Sequence, residues 1–379
     1  MMNIPYARQW IEEEDIERVA KVLRGDWLTQ GPAVDAFEQA VASYVNAKYC
    51  VAFNSGTAAL HAAMYAAGIQ PGDEVLTTPI TFVATSNSAL YLGGKPLFVD
   101  IDPKTYCLDI TKIERAITPA TKVIAPVDYA GYPIDIDPIL KMAREKGLVV
   151  IEDAAHALGA DRNGEKVGPQ ADMTMFSFHP VKHITTGEGG VIVTNDETYY
   201  ERMRLFRTHG ITKEPAAFLH EAEGPWYYEM QALGFNYRIT DFQCALGSSQ
   251  LEKLPRSLAR RRQIAEKYYA GLKDVEGGLL PPIPENHHTT HAYHLFPVQF
   301  MRKDRKEVFL SLKEKGIFGQ VHYIPAHLQP YYRESYGFKP GDYPRSEAFY
   351  QREISIPMFP KMTDEEVDYV ISTIREICL

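Results

Sequence analysis

Between residues 49 and 157 the chain alternates between short apolar runs and longer runs with helical spacing. "YCVAF" leads into "NSGTAALHAAMYAAG", and "DEVLTT" into "TFVATSNSALYLGG". "KPLFVDID" follows, then "KVIAPVDYAG", "DIDPILKMAREKG" and "LVVIEDAAHA". A continuously apolar strand needs cover on both faces. Strand–helix alternation supplies it, because a parallel neighbour needs a crossover helix to bring the chain back. The expectation is an α/β fold with a mostly parallel central sheet flanked by helices. Helical periodicity also marks "EDIERVAKVLR" and "VDAFEQAVASYV" ahead of the alternation.

After about residue 245 the pattern changes. "SLARRRQIAEKYYAGLKD" predicts a long helix, followed by the Pro-rich break "LLPPIPENHHTTHAYH". "LFPVQF", "KDRKEVFLSLKEKG", "FGQVHYIP", "ISIPMF" and "TDEEVDYVISTIREI" then predict strand, helix, strand, strand and helix. Thr363 and Glu366 have the spacing of a capping box at the start of the last helix. Three parts are expected: an N-terminal segment and arm over 1–30, a large domain over 31–250, and a smaller C-terminal α+β domain over 251–379. A length of 379 residues exceeds one average domain and fits this division.

The formal net charge of −9 argues against nucleic-acid or membrane-surface binding, which needs a basic field. It leaves room for a small anion held by local backbone N–H groups. Cys50, Cys107, Cys244 and Cys378 form no CxxC pair, so neither a disulfide framework nor a structural zinc site is expected. The N-terminus has no apolar signal core, and no run approaches 18 apolar residues. A cytoplasmic protein is expected.

Ligands of such sheets bind outside the carboxyl ends of the strands. After "YCVAF" stands Asn54-Ser55-Gly56-Thr57, small residues opening a helix, where backbone N–H groups and the helix dipole favour an anion. After "TTPIT" stands Phe82, after "LVVIE" Asp153, and after "MFSF" Ser177 and then Lys182. Each alone has a structural explanation: a helix cap, a core ring, a salt bridge, a solvated lysine. Together they supply a phosphate cradle, a ring to stack on, a carboxylate for a protonated pyridine nitrogen, and an amine able to form a covalent link. Those are the needs of pyridoxal 5'-phosphate (PLP).

The sequence resembles the DegT/DnrJ/EryC1/StrS sugar aminotransferases over essentially its whole length. The carriers are "LTQGP" (28–32), "FNSGTAAL" (53–60), "TTPITFVAT" (77–85), "VDYAG" (127–131), "IEDAAHALGA" (151–160), "FSFHPVKHITTGEGG" (176–190), "RTHGI" (207–211), "GFNYRITDFQCALG" (234–247) and "GQVHY" (319–323). The resemblance implies a PLP-dependent transferase of fold type I. It implies that Lys182 carries the cofactor and moves protons, and that Asp153 pairs with the pyridine nitrogen. Phe82 would stack on the ring, Gly56, Thr57 and Ser177 would hold the phosphate, and His156 would lie near O3'. Asn236 would reach the phosphate from a partner subunit, so a homodimer with shared sites is implied. Tyr6, Asp26, Trp27, Leu28, Thr29, Gln320, Val321, His322 and Tyr323 would line the nucleotide-sugar site. Family members that act as dehydratases have histidine at the lysine position, and this chain keeps Lys182.

"HPVKHITTGEGG" and "TPITFVATSN" most resemble the branch that aminates a UDP-linked 4-keto-6-deoxy-N-acetylhexosamine toward pseudaminic acid. L-Glutamate, leaving as 2-oxoglutarate, is the implied donor. The same chemistry on another UDP- or dTDP-linked 4-keto sugar is the alternative. A nicotinamide site would need GxGxxG opening a helix, whereas "GEGGVI" (187–192) lacks the third glycine and leads into a strand. A PLP-fold regulator would carry a DNA-binding segment. No metal site is expected: the histidines of 287–294 lie between a Pro-rich loop and a strand. Arg260–Arg262 read as a solvated helix face. His179 and His183 read as shaping the lysine's turn or the substrate pocket.

Overall fold

The computed structural model describes residues 2–378. Seven strands form the central sheet: β1 (Tyr49–Phe53), β2 (Glu74–Thr77), β3 (Lys95–Phe98), β4 (Thr121–Ile124), β5 (Val149–Asp153), β6 (Met173–Ser177) and β7 (Gly190–Thr194). Their order is β1-β7-β6-β5-β4-β2-β3. All pairs are parallel except those of β7, which runs antiparallel to β1 and β6. The mostly parallel sheet expected from the sequence is therefore present, with one reversed strand. That reversal puts the start of β7 at the same edge as the ends of β1 and β6, where Gly190 pairs with both Phe53 and Ser177. Lys182 lies on the β6–β7 connection at this edge.

The helices longer than one turn are α1 (Glu13–Leu23), α2 (Pro32–Val45), α3 (Gly56–Ala66), α4 (Ala84–Leu90), α5 (Asp137–Lys146), α6 (Glu197–Arg207), α7 (Asp241–Leu272), α8 (Arg305–Glu314), α9 (Pro330–Tyr336), α10 (Pro344–Arg352) and α11 (Asp364–Cys378). The two-residue period of β6 distributes its side chains between two cores. Phe176 packs with Phe37, Val41, Leu254 and Leu258 beneath α2 and α7. Met173 and Met175 pack with Leu60, Met64, Met203 and Phe206 beneath α3 and α6. In β5 the same alternation sends Ile151 to the α3 side, while Glu152 is fully buried in an ion cluster with Arg162 and Asp128.

The C-terminal region holds a three-stranded antiparallel sheet of Gly278–Leu279, Phe296–Phe300 and Glu353–Ile356. Thr363 and Glu366 cap α11 reciprocally, at 2.9 and 3.2 Å. Three expectations need correction. The long helix begins at Asp241 rather than near 257, held by the Thr240–Gln243 capping box, and Pro255 sits inside it. The expected boundary at 250/251 thus falls within α7. "FGQVHYIP" is not a strand: only Gln320 bridges, to Ser355. Side chains take the backbone groups of His322. His322 N–H donates to Glu353 Oε2 at 2.9 Å, and His322 C=O accepts from Tyr129 Oη at 2.6 Å. Finally, Arg260–Arg262 is not a solvated face. Arg261 is 1% exposed and donates to the carbonyls of Tyr293 and Met358, both at 3.0 Å.

Candidate active site

A cavity of about 520 Å³ opens at the sheet edge described above. Its lining includes Ser55, Gly56, Thr57, Phe82, Asp153, His156, Ser177 and Lys182, with Tyr6, His322 and Tyr323 at its border. Ser55 and Lys182, 127 positions apart in sequence, are brought to one wall because β1, β5 and β6 all end there.

The anion cradle is built from backbone. Ser55 caps α3, its Oγ accepting from Ala58 N–H at 3.1 Å, and Gly56 opens the helix. The first N–H groups of a helix have no partner within it, and so face outward to a ligand. Gly190 keeps the cradle open: a Cβ there would lie 2.6 Å from Gly56 Cα. Ser177, at the end of β6, borders the same space.

Asp153 ends β5 and is 5% exposed. Its Oδ2 accepts from Thr85 Oγ1 at 2.6 Å and its Oδ1 from Ala155 N–H at 3.1 Å. Burial pushes its pKa up, opposed by those two donors and by Lys182. Among the described residues it forms no salt bridge, Lys182 acting on it only from a distance.

Lys182 sits on a turn closed by its N–H to His179 C=O at 2.9 Å. Burial lowers its pKa to about 8, against the pull of Asp153. Its Nζ lies 3.5 Å from His294 Nε2. His294 stacks at a tilt on His156, with ring centroids 4.4 Å apart. Burial and the nearby Lys182 hold both imidazoles well below their ordinary pKa, so they are neutral. His156 Nδ1 accepts from Ala130 N–H at 3.2 Å, which leaves the proton on Nε2 to be donated to Tyr323 Oη at 3.1 Å. His183 faces away: its Nε2 bonds Ala292 C=O at 3.0 Å.

Phe82 is 59% exposed at the mouth, with its ring 6.2 Å from that of Tyr323. Beyond it a second space of about 720 Å³ shares Tyr6, Phe82, His322 and Tyr323 with the first, and adds Gln320 and Val321. The expected Gln320–Tyr323 segment and Tyr6 therefore meet at this junction. Asp26, Trp27, Leu28 and Thr29 are exposed and line neither space, and neither does exposed Asn236. Sequence reading missed Thr85 and His294. Thr85 stands within "TTPITFVAT" but carries no mark of its own, and His294 is one of four histidines in a loop-like run.

The residues fit PLP on three counts: an open helix start for phosphate, a buried carboxyl short of a cation, and a desolvated amine. The comparisons agree. The profile of the DegT/DnrJ/EryC1/StrS aminotransferase family matches residues 9–375. The chain is 43% identical to the uncharacterized protein MJ1066 of Methanocaldococcus jannaschii, over 99% of this chain and 97% of that one. It is 40% identical to the spore coat polysaccharide biosynthesis protein SpsC of Bacillus subtilis, with the same coverage. Among solved structures, Helicobacter pylori PseC, an aminotransferase involved in the biosynthesis of pseudoaminic acid, superposes with a TM-score of 0.92 at 33% identity, covering 99% of both chains. The PLP form of the putative sugar aminotransferase Spr1654 from Streptococcus pneumoniae superposes with a TM-score of 0.91 at 31% identity, covering 100% of both. The chain belongs to the DegT/DnrJ/EryC1/StrS family and is a PLP-dependent sugar aminotransferase.

Proposed function

We propose that the enzyme transfers an amino group from L-glutamate to C4 of a UDP-linked 4-keto-6-deoxy-N-acetylhexosamine. The substrate would be UDP-2-acetamido-2,6-dideoxy-β-L-arabino-hexos-4-ulose. The product would be UDP-4-amino-4,6-dideoxy-N-acetyl-β-L-altrosamine, used in pseudaminic acid biosynthesis. The observation that carries the chemistry is that Lys182 and Asp153 line one cavity. The likeness to PseC supports the sugar. The likeness to SpsC supports the alternative, the same transfer to another nucleotide-linked 4-keto sugar.

When bound, PLP supplies an electron sink that makes the carbon bearing the amino group acidic. Asp153, held by Thr85 and Ala155 N–H, keeps a positive charge in place at its carboxylate. Lys182 Nζ takes the proton from that carbon and returns it elsewhere, as a base whose pKa of about 8 lies near working pH. Gly56, Thr57 and Ser177 bind the phosphate, Phe82 covers the ring, and His156 orients Tyr323. The two substrates use one site in turn, so the kinetics are ping-pong. The site is completed by a second copy of the chain, with Asn236 and Asp26–Thr29 serving the partner's cavity. Their exposure and their absence from the lining of their own cavity support this reading. A large unit over 31–250 and a small one over 251–379 remain the proposed division, and the cytoplasm the proposed location. Among the described residues no helix is long and apolar enough to cross a membrane.

The test is a substrate panel: UDP- and dTDP-linked 4-keto-6-deoxy sugars with glutamate, following 2-oxoglutarate. Turnover of the UDP-N-acetyl sugar is expected. Turnover of a dTDP sugar alone would move the enzyme to the alternative.

A further inference from the structure

A buried chain of three side chains ends at the junction of the two spaces. Glu353 and Ser355 are 0% and 1% exposed, and His322 is 7% exposed. Ser355 Oγ lies 2.5 Å from Glu353 Oε1 and 2.9 Å from His322 Nδ1. Glu353 Oε2 is occupied by the backbone N–H of His322, at 2.9 Å. His322 borders both spaces, and among the described residues its Nε2 bonds to none.

A serine hydroxyl has one proton to give. When Glu353 is ionised, that proton goes to Oε1. His322 must then carry its own proton on Nδ1 to meet the Ser355 oxygen, and Nε2 is left as an acceptor. When Glu353 is protonated, its O–H donates to Ser355 and Ser355 donates to Nδ1. The His322 proton then sits on Nε2, which becomes a donor. We propose that Glu353, through Ser355, sets which tautomer His322 presents to the sugar, and so whether His322 accepts a hydrogen bond from a sugar hydroxyl or amide, or donates one to it. This rests on the reading that His322 lines the sugar site. His322 would touch the substrate, and Glu353 and Ser355 would be positioning residues.

The surroundings suit such a switch. Burial raises the Glu353 pKa to about 8, with Ser355, the His322 N–H and Arg305 of α8 pulling it down. Burial lowers that of His322 to about 3, so the imidazole is neutral throughout. The other titratable groups facing the pair are Lys182 and the neutral His156 toward His322, and the phenols of Tyr106, Tyr129, Tyr323 and Tyr6. All four phenols are raised by burial and remain neutral. Above about pH 8 His322 offers an acceptor, and below it a donor.

The holoenzyme labelled with ¹⁵N-histidine tests this directly, with the His322 signals identified by their loss in His322→Gln. The ring-nitrogen shifts should exchange character, Nε2–H at pH 6.5 becoming Nδ1–H at pH 9.5 (roughly one and a half units either side of the Glu353 transition). Glu353→Gln should hold the Nε2–H form at both values. Its side-chain oxygen must keep the His322 N–H, which turns its NH₂ toward Ser355. Ser355→Ala should abolish the exchange, and it stands in should Glu353→Gln fail to fold. One tautomer at both values in the wild type, or exchange that survives Ser355→Ala, overturns the proposal. At pH 9.5, where the two proteins hold opposite tautomers, the KM for the nucleotide sugar should differ about tenfold between Glu353→Gln and the wild type, whereas at pH 6.5 the two should agree and the KM for the amino donor should hold at both values. If the tautomer exchange is seen but that KM does not move, the sugar-site reading of His322 fails and the relay stands.

Discussion

Thr85 donates its hydroxyl proton to Asp153 across 2.6 Å, linking the start of α4 to the end of β5. The bond favours the ionised carboxylate in a place where burial opposes it. Thr85→Val keeps the shape and removes the donor. A hydrogen bond to a charged group is worth about 1.5–3 kcal/mol, so kcat/KM should fall about 10- to 100-fold. The acidic limb of the pH–rate profile should also move to higher pH, because the Asp153 pKa rises further. Asp153→Asn should fold normally by circular dichroism and slow both half-reactions by about 100-fold or more. Near-normal single-turnover rates would remove Asp153 from its role.

Lys182 should stand apart from the other lysines in its titration. Burial stabilises its neutral amine, so the amine becomes nucleophilic as pH rises through about 8 rather than through the usual range near 10. Competitive acylation of the apoenzyme, read by peptide mass spectrometry, should give Lys182 the earliest midpoint. Borohydride treatment of the holoenzyme should leave the pyridoxyl label on the peptide containing Lys182. A label on another lysine would contradict the assignment.

Gly190→Ala would press a methyl group against the first residue of α3. Overpacking of this kind costs about 1–3 kcal/mol. Because the strain falls on the phosphate cradle, PLP dissociation should accelerate more than thermal stability declines. Dialysis of the variant against phosphate, followed by the loss of visible absorption, measures this. Retention equal to the wild type would place the phosphate elsewhere.

Subunit mixing tests the shared site. Lys182→Ala and Asn236→Ala proteins are each expected to be nearly inactive. Heterodimers of the two hold one intact site of two and should recover up to about half of the wild-type dimer's activity. No recovery in heterodimers confirmed by native mass spectrometry would confine each site to one chain.

The sheet was legible because its strands are apolar throughout and the residues between them keep helical spacing, so β1 to β5 and their helices follow from period alone. The site was legible where chemistry coincides with a strand end, as at Asp153, Ser177 and Lys182. What escaped depends on contacts distant in sequence. His294 approaches Lys182 from 112 residues away. The 318–325 segment has a strand-like composition, yet only Gln320 bridges a strand, and the His322 backbone bonds go to Glu353 and Tyr129, which nothing local announces. Arg261 looks like a surface arginine until Tyr293 and Met358 fold over it.

Helix α7 has one more consequence. At 32 residues it is about 48 Å long. Asp241 at its start holds the N–H groups of Gly31 and Ala33. Farther along, Lys253 and Arg256 pair with Asp15 and Glu12 of the N-terminal arm. Arg260 and Lys267 pair with Asp364 and Asp368 of α11. The N-terminal arm, the start of α2 and the C-terminal helix are thus all tied to one continuous rod. Heating should find no seam at which one part melts alone, and calorimetry should record a single cooperative endotherm rather than one for each proposed unit.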